Sequence, residues 1–304
     1  MNSKILTLIL LFLPFLSYAK INVITTTTDL EWLVKQIGGE KVEVESLLNG
    51  TEDPHYLDAM PHFIGKVANA DMFCLVGLDL EIGWVPKILT KSGNQKVQSG
   101  GKGYCETGKT VKALDIPKGK IDRTQGDVHP MGNPHYHLGP NAFLQGGETV
   151  LNTLINLDSE NAEYYLKNFD NLKTSLDQLK KKISGLLSSV KSKSFMEYHR
   201  EFTYFFSEFG LKNVGAIESV PGVPPSAGRL ARVSIQAKQE KIAVAIAATT
   251  SPKNITDKFE RMSGTPVARL PMSIVKERGP QNYEELLKTI AMAIINKSKS
   301  GYGK

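Results

Sequence analysis

The chain holds six histidines among 304 residues, and all of them fall in three short windows. The first is Asp53-Pro54-His55, with His62 seven residues on. The second runs His129-Pro130-Met131-Gly132-Asn133-Pro134-His135-Tyr136-His137. The third is a single residue, His199, in Met196-Glu197-Tyr198-His199-Arg200. Neutral imidazole is the commonest protein ligand for zinc and similar metals. Histidines gathered beside turn-forming prolines, and absent elsewhere, point to a metal site assembled from distant loops. Pro54 and Pro134 fix the backbone ahead of a histidine and lower the entropy cost of ordering it.

The elements that must carry these windows alternate between strand and helix. Ile21–Thr26 reads as a strand rich in β-branched residues and Val42–Leu48 as a second strand, with a helix over Asp29–Ile37 between them, capped by Thr28 or Asp29. A helix over Pro61–Asn69, a strand over Met72–Val76 and a helix over Glu81–Leu89 follow, and the Gly-rich Gln98–Tyr104 reads as a loop. Asn141–Leu157 reads as a helix. A longer one spans about Ser159 to about Leu187, with Tyr165, Leu166, Phe169, Leu172, Leu176, Leu179, Ile183 and Leu186 at steps of three and four. It is long enough to brace one lobe against another. The second half repeats the pattern, with strands at Ser194–Tyr198, Val214–Ile217, Ile242–Ala248 and Val267–Leu270. Helices are expected over Arg200–Phe209, up to Glu240, over Pro252–Met262 and over Tyr283–Lys297. This alternation predicts an α/β fold of two lobes, each a mostly parallel sheet flanked by helices, joined by one long bracing helix. The expected units are residues 20–157, the linking helix 158–190, and residues 191–304, after a leader over 1–19.

In open α/β sheets ligands sit beyond the carboxyl ends of the strands. His55 lies in the loop after the Val42–Leu48 strand, His199 directly follows Ser194–Tyr198, and His135 lies in the loop before the Asn141 helix. Facing lobes would bring His55 and His135 against His199. His62 opens a helix and reads as a capping or surface residue. His129 reads as a mobile outer ligand. His137, two residues from His135, points the opposite way if that segment is extended.

The N-terminus reads as a secretory signal peptide: Lys4, the apolar Ile5–Leu16, then Ser17-Tyr18-Ala19, with cleavage expected after Ala19. No cysteine follows it, so a lipoprotein anchor is not expected, and the periplasm is the expected compartment. Cys74 and Cys105 are the two cysteines. In an oxidising compartment they favour a disulfide worth ~3 kcal/mol, against the alternative of a buried thiol at Cys74. The net charge of +6 is mild and spread out. Lys180-Lys181-Lys182 and Lys191-Ser192-Lys193 read as a solvated helix face and its end, so a nucleic-acid partner is not expected.

Several segments together carry a family resemblance. They are Asp53-Pro54-His55 with Pro61, Ala70-Asp71 leading into Gly77-Leu78-Asp79-Leu80-Glu81, Asn133-Pro134-His135-Tyr136-His137-Leu138-Gly139-Pro140, and Tyr198-His199-Arg200-Glu201-Phe202-Thr203-Tyr204-Phe205 with Phe209-Gly210-Leu211. With them the chain resembles the solute-binding proteins of zinc/manganese ABC importers over essentially its whole mature length. The resemblance implies two lobes, a monomer, an ABC permease with its ATPase as partners, and His55, His135 and His199 as metal ligands. It also implies a modest closing motion.

The chain departs from that pattern in three places. The loop after the last strand, Leu270-Pro271-Met272-Ser273-Ile274, lacks the usual carboxylate ligand. Only Asp127-Val128-His129 hints at the long His/Asp-rich loop of many zinc members, and His137 stands where a tryptophan often follows. The fourth ligand is therefore open among Glu218, His137 and water. Glu218 ends the Val214–Ile217 strand and should face the cleft; the alternative is a structural acid ordering the Pro221–Pro225 turn. Three imidazoles with at most one carboxylate suit tetrahedral Zn2+ better than Mn2+, which prefers more oxygen. The rival reading is a secreted zinc-dependent hydrolase, for which His135-x-His137 is a superficial motif. The chain has no H-E-x-x-H run to support it. A structural or adhesive metalloprotein is a third reading.

Overall fold

The computed structural model describes residues 20–119, 126, 128–190 and 194–301. The expected leader over 1–19, the Lys191–Lys193 run and Asp127 lie outside the described residues. The first half contains β1 (Ile21–Thr25), α1 (Thr28–Gly38), β2 (Val42–Ser46), α2 (Pro61–Ala68), β3 (Met72–Leu75), α3 (Val85–Ser92) and β4 (Tyr104–Glu106). Its four strands form a parallel sheet in the order β2-β1-β3-β4. Then come α4 (Pro140–Leu157) and α5 (Ala162–Leu187). The second half contains β5 (Ser194–Glu197), α6 (Thr203–Glu208), β6 (Lys212–Ala216), α7 (Ala227–Gln239), β7 (Val244–Ala248), α8 (Lys253–Ser263), β8 (Val267–Leu270) and α9 (Tyr283–Gly301). Its sheet is also parallel, in the order β6-β5-β7-β8. Within each parallel sheet all carboxyl ends lie along one edge, so the loops carrying His55 and His199 each leave from such an edge.

The long helix is the brace that its apolar spacing predicts. α5 packs on α1 and α4 from the first half and on α9 from the second. Tyr165, Leu172, Leu176, Leu179 and Ile183 are buried along it, each of the leucines and Ile183 contributing about 1.5–3 kcal/mol. Leu166 does not belong to that stripe and is 48% exposed. Lys182 reaches Glu284 of α9 at 2.8 Å, and Lys180 reaches Glu208 of α6 at 3.6 Å.

Several boundaries shift for identifiable reasons. The cap of α1 is Thr27, which is extended and accepts from the Leu30 N–H; the hydroxyl of Thr28 instead donates to the Ile274 carbonyl at 2.6 Å. α3 starts at Val85 and not at Glu81, because the Glu81 carboxylate turns inward. It accepts from the Thr26 hydroxyl (2.7 Å) and from the N–H groups of Val76 (2.8 Å) and Gly77 (3.1 Å). The turn before it holds Leu78 and Asp79 at φ 53° and 64°, a conformation that L residues rarely adopt. α6 is shorter than the Arg200–Phe209 helix expected, since the Glu197 carboxylate takes the Phe202 N–H at 2.9 Å and sets the start later. Tyr104–Glu106, which begins at the last residue of the expected Gln98–Tyr104 loop, is a fourth strand on β3.

That strand places Cys105 directly beside Cys74. Both are free and fully buried, so the expected disulfide is not formed in this structure. Burial, then the neighbouring Cys105, pushes the Cys74 thiol well above its ordinary pKa and keeps it protonated.

Candidate metal centre

Two of the histidines are set by the same local device. In Asp53-Pro54-His55 the Asp53 carboxylate accepts the His55 N–H at 3.0 Å. In Asn133-Pro134-His135 the Asn133 side-chain oxygen accepts the His135 N–H at 2.9 Å. Each Asx side chain thereby closes a turn over its proline and aims the following imidazole. Each turn is anchored further. The buried Trp84 ring donates Nε1–H to the Pro54 carbonyl at 2.8 Å. The Asn133 amide donates to the Arg200 carbonyl at 2.6 Å, which ties the His135 loop to the residue after His199. Tyr204, from α6, donates its hydroxyl to the Asn133 carbonyl at 2.8 Å.

The structure brings His55, His135 and His199 together. One ring nitrogen from each lies within 4.8 Å of the others. Ring centroids are 5.3 Å apart for His55–His135 and 5.9 Å for both pairs with His199. On two rings the far nitrogen is already engaged by an acid. His55 Nδ1 meets Asp53 Oδ1 at 2.7 Å, and His199 Nδ1 meets Glu218 Oε2 at 3.0 Å. Such a partner fixes the tautomer with Nδ1 protonated and leaves the Nε2 lone pair for a metal. His135 is 4% exposed and its Nε2 is buried without a hydrogen-bond partner among the described residues. A buried nitrogen with an unused lone pair, between two carboxylate-oriented imidazoles, fits a soft divalent cation such as zinc.

The charge state agrees with that donor set. Burial, then repulsion from His55 and His199, holds the His135 pKa well below its ordinary value, so its lone pair stays free. The same causes hold His129 at about 3. Burial alone would raise Asp53, but its hydrogen bond and attraction to His55 hold it below the ordinary carboxylate range. A cavity of about 240 Å³ opens beside this group, lined by Asp53, His55, His199, Glu201 and Glu218 among others.

The remaining candidates separate. Glu218 stands behind His199 and also accepts the Gly222 N–H at 3.2 Å; it is not among the three converging nitrogens. Its place is thus that of an acid orienting both His199 and the turn at Gly222. His137 turns its Nε2 to the Met272 carbonyl at 2.7 Å. His62 is exposed on the first turn of α2, its ring against Phe63. His129 is drawn in beside His55. The 270–274 loop, where an acid was expected, is used to join the halves: Ile274 is held by Thr28 and by the Asp29 carboxylate, which accepts its N–H at 3.1 Å.

Two acids of the site were not anticipated. Asp53 was legible, since Asx-Pro-His occurs twice. Glu201 was not: it is buried, its Oε2 has no hydrogen-bond partner among the described residues, and burial and the Asp53 charge push its pKa up to about 8. Nothing in its sequence position marks it.

The comparisons find the same two-lobed α/β fold. Residues 23–297 match the model of the family ZnuA, zinc-uptake complex component A, periplasmic, and the chain belongs to that family. The zinc-binding lipoprotein AdcA of Streptococcus pneumoniae is 30% identical over 233 residues, covering 74% of this chain and 44% of that protein. This chain thus spans less than half the length of that relative. The high-affinity zinc uptake system protein ZnuA of Bacillus subtilis is 27% identical over 232 residues, 74% of this chain and 70% of that protein. A crystal structure of ZnuA superposes with a TM-score of 0.77 at 22% identity, covering 92% of this chain and 100% of that one. At that identity the last likeness speaks for the fold alone.

Proposed function

We propose that this protein captures a divalent metal ion, Zn2+ before Mn2+, between its two lobes and delivers it to an ABC permease and its ATPase for import. His55, His135 and His199 are the ligands in this reading. The observation that carries it is the convergence of their three ring nitrogens within 4.8 Å, with a carboxylate behind two of them. Zinc is favoured because the donor set is rich in nitrogen and poor in oxygen. Family membership and the zinc-binding relatives support the same cargo.

The capturing units are residues 20–157 and 191–304, with 158–190 as the link. The cross-links at Asn133–Arg200, Thr28–Ile274 and His137–Met272 support a small closing motion rather than a wide hinge. The chain works as a monomer in the periplasm, reached through the leader at 1–19. Among the described residues no helix is long and apolar enough to cross a membrane. The relatives named above are named for zinc binding and zinc uptake, which supports transport over hydrolysis.

The test is an equilibrium zinc titration of the purified protein beside His55→Ala, His135→Ala and His199→Ala, with a hydrolase assay on the same samples. One tightly bound zinc, strongly weakened in each variant and without turnover, is expected. Unchanged affinity in a variant would remove that residue from the site, and robust hydrolysis would sink the transport reading.

A further inference from the structure

His129 is the histidine whose position is least explained by the three-ligand reading. It lies six residues before His135, and its Nε2 stands 3.2 Å from the Nε2 of His55. The far nitrogen of His55 is fixed on Asp53, so the Nε2 that faces His129 is the one left to bind a cation. Two ring nitrogens at such a distance either share a proton or share a metal. On a tetrahedral zinc with Zn–N bonds of about 2.0–2.1 Å, two nitrogen ligands sit roughly 3.3–3.4 Å apart.

The loop that delivers His129 is built. Its carbonyl accepts the Gly132 N–H at 3.1 Å, closing a turn. Gly132 adopts φ 108°, and a side chain there would meet Ala113 at 2.6 Å, so the turn packs tightly on the chain below it. The next residue, Asn133, donates its N–H to the Leu114 carbonyl at 2.8 Å. The His129 ring lies 5.2 Å from that of His55 and 6.4 Å from that of His135. The two other side chains weighed for the fourth position, Glu218 and His137, are committed. Glu218 is held by His199 and Gly222, and His137 by the Met272 carbonyl.

We propose that His129 is the fourth ligand, so that the metal is closed in by four imidazoles. The proposal rests on His55, His135 and His199 being the other three. His129 is outside the group whose nitrogens lie within 4.8 Å of one another and touches it through His55. Loading the metal draws its ring inward by a small shift of the 129–132 turn. An all-nitrogen set discriminates against manganese, which asks for oxygen donors.

The experiment is X-ray absorption at the zinc edge on the zinc-loaded wild type, His129→Gln and His55→Ala, with zinc and manganese affinities and thermal melting of each. Four imidazoles are expected in the wild type, and three plus an oxygen in His129→Gln. That variant should lose zinc affinity by at least the roughly 10–100-fold typical of losing a partner one shell further out. Its preference for zinc over manganese should narrow. Three imidazoles in the wild type overturn the proposal even if the variant folds poorly. So does a His129→Gln variant with unchanged imidazole count and affinity. If His55→Ala also binds zinc unchanged, the three-histidine reading fails first and this one falls with it. If only His55→Ala loses zinc, the three-histidine site stands and His129 is excluded.

Discussion

Replacing Glu218 by Ala separates an orienting acid from a ligand. The Glu218 side chain is 8% exposed and that of His199 is 14% exposed, so their 3.0 Å contact is largely shielded from water and salt. Removing the carboxylate leaves His199 Nδ1–H and the Gly222 N–H without their acceptor. The imidazole then loses its fixed tautomer and part of its basicity. Loss of such a partner typically costs about 10–100-fold in metal affinity. That corresponds to about 1.4–2.8 kcal/mol of binding free energy. The assay is competition for zinc against a chromophoric chelator near neutral pH, with the melting temperature of the metal-free protein measured alongside. Glu218→Gln should fall between wild type and Glu218→Ala, because an amide still accepts a hydrogen bond. An affinity unchanged within twofold would refute the orienting role. A loss beyond about 1,000-fold, well past the outer-shell range, would place Glu218 on the metal itself.

Three further outcomes follow from the same contacts. Asn133→Ala removes both the turn-closing acceptor for His135 and the bond to the Arg200 carbonyl, and should weaken zinc binding by about 10-fold or more while costing roughly 1–3 kcal/mol in denaturant unfolding. Leu176→Ala, in the buried stripe of α5, should cost about 2–5 kcal/mol in the same unfolding assay and leave the imidazole count at the metal unchanged. Glu81 is raised above its ordinary pKa by burial, with the Thr26 and Val76 hydrogen bonds opposing. A carboxyl raised on folding binds its proton more tightly in the folded state, so its contribution is full below the unfolded pKa and is lost as pH rises through the folded one. Stability of Glu81→Gln should therefore decline less than that of wild type as pH is raised from about 4.5, measured by urea midpoints across pH. A parallel decline in both proteins would contradict that linkage.

Much of the fold was legible because the chain punctuates itself. β-branched runs such as Ile21–Thr25 alternate with helices that end at Gly38 or before Gly264, and periodicity alone identifies α5. The elements misread are those in which a distant partner overrides local preference. The Thr28 hydroxyl is taken by Ile274, so the cap of α1 falls on Thr27. Glu81 is drawn into the sheet edge, so α3 starts late. The Tyr104–Glu106 strand hides among Gly100, Gly101 and Gly103 because its stability comes from pairing with β3 and not from its own residues. In the site, the three converging histidines were readable from proline context and strand ends. The direction of each ring was not, since it depends on Asp53, Glu218 and Trp84 reaching across the fold. The buried Glu201 had no sequence signal at all, because its burial comes from the facing of the two halves.

The central claim is that one metal ion sits between the lobes on His55, His135 and His199. A crystal structure of the zinc-loaded protein, with anomalous scattering measured on both sides of the zinc edge, tests it most directly. The account predicts a single strong peak about 2.0–2.1 Å from the Nε2 atoms of all three histidines, with Asp53 and Glu218 still on the far nitrogens of His55 and His199. A peak held elsewhere, or by fewer than all three of these imidazoles, would contradict it.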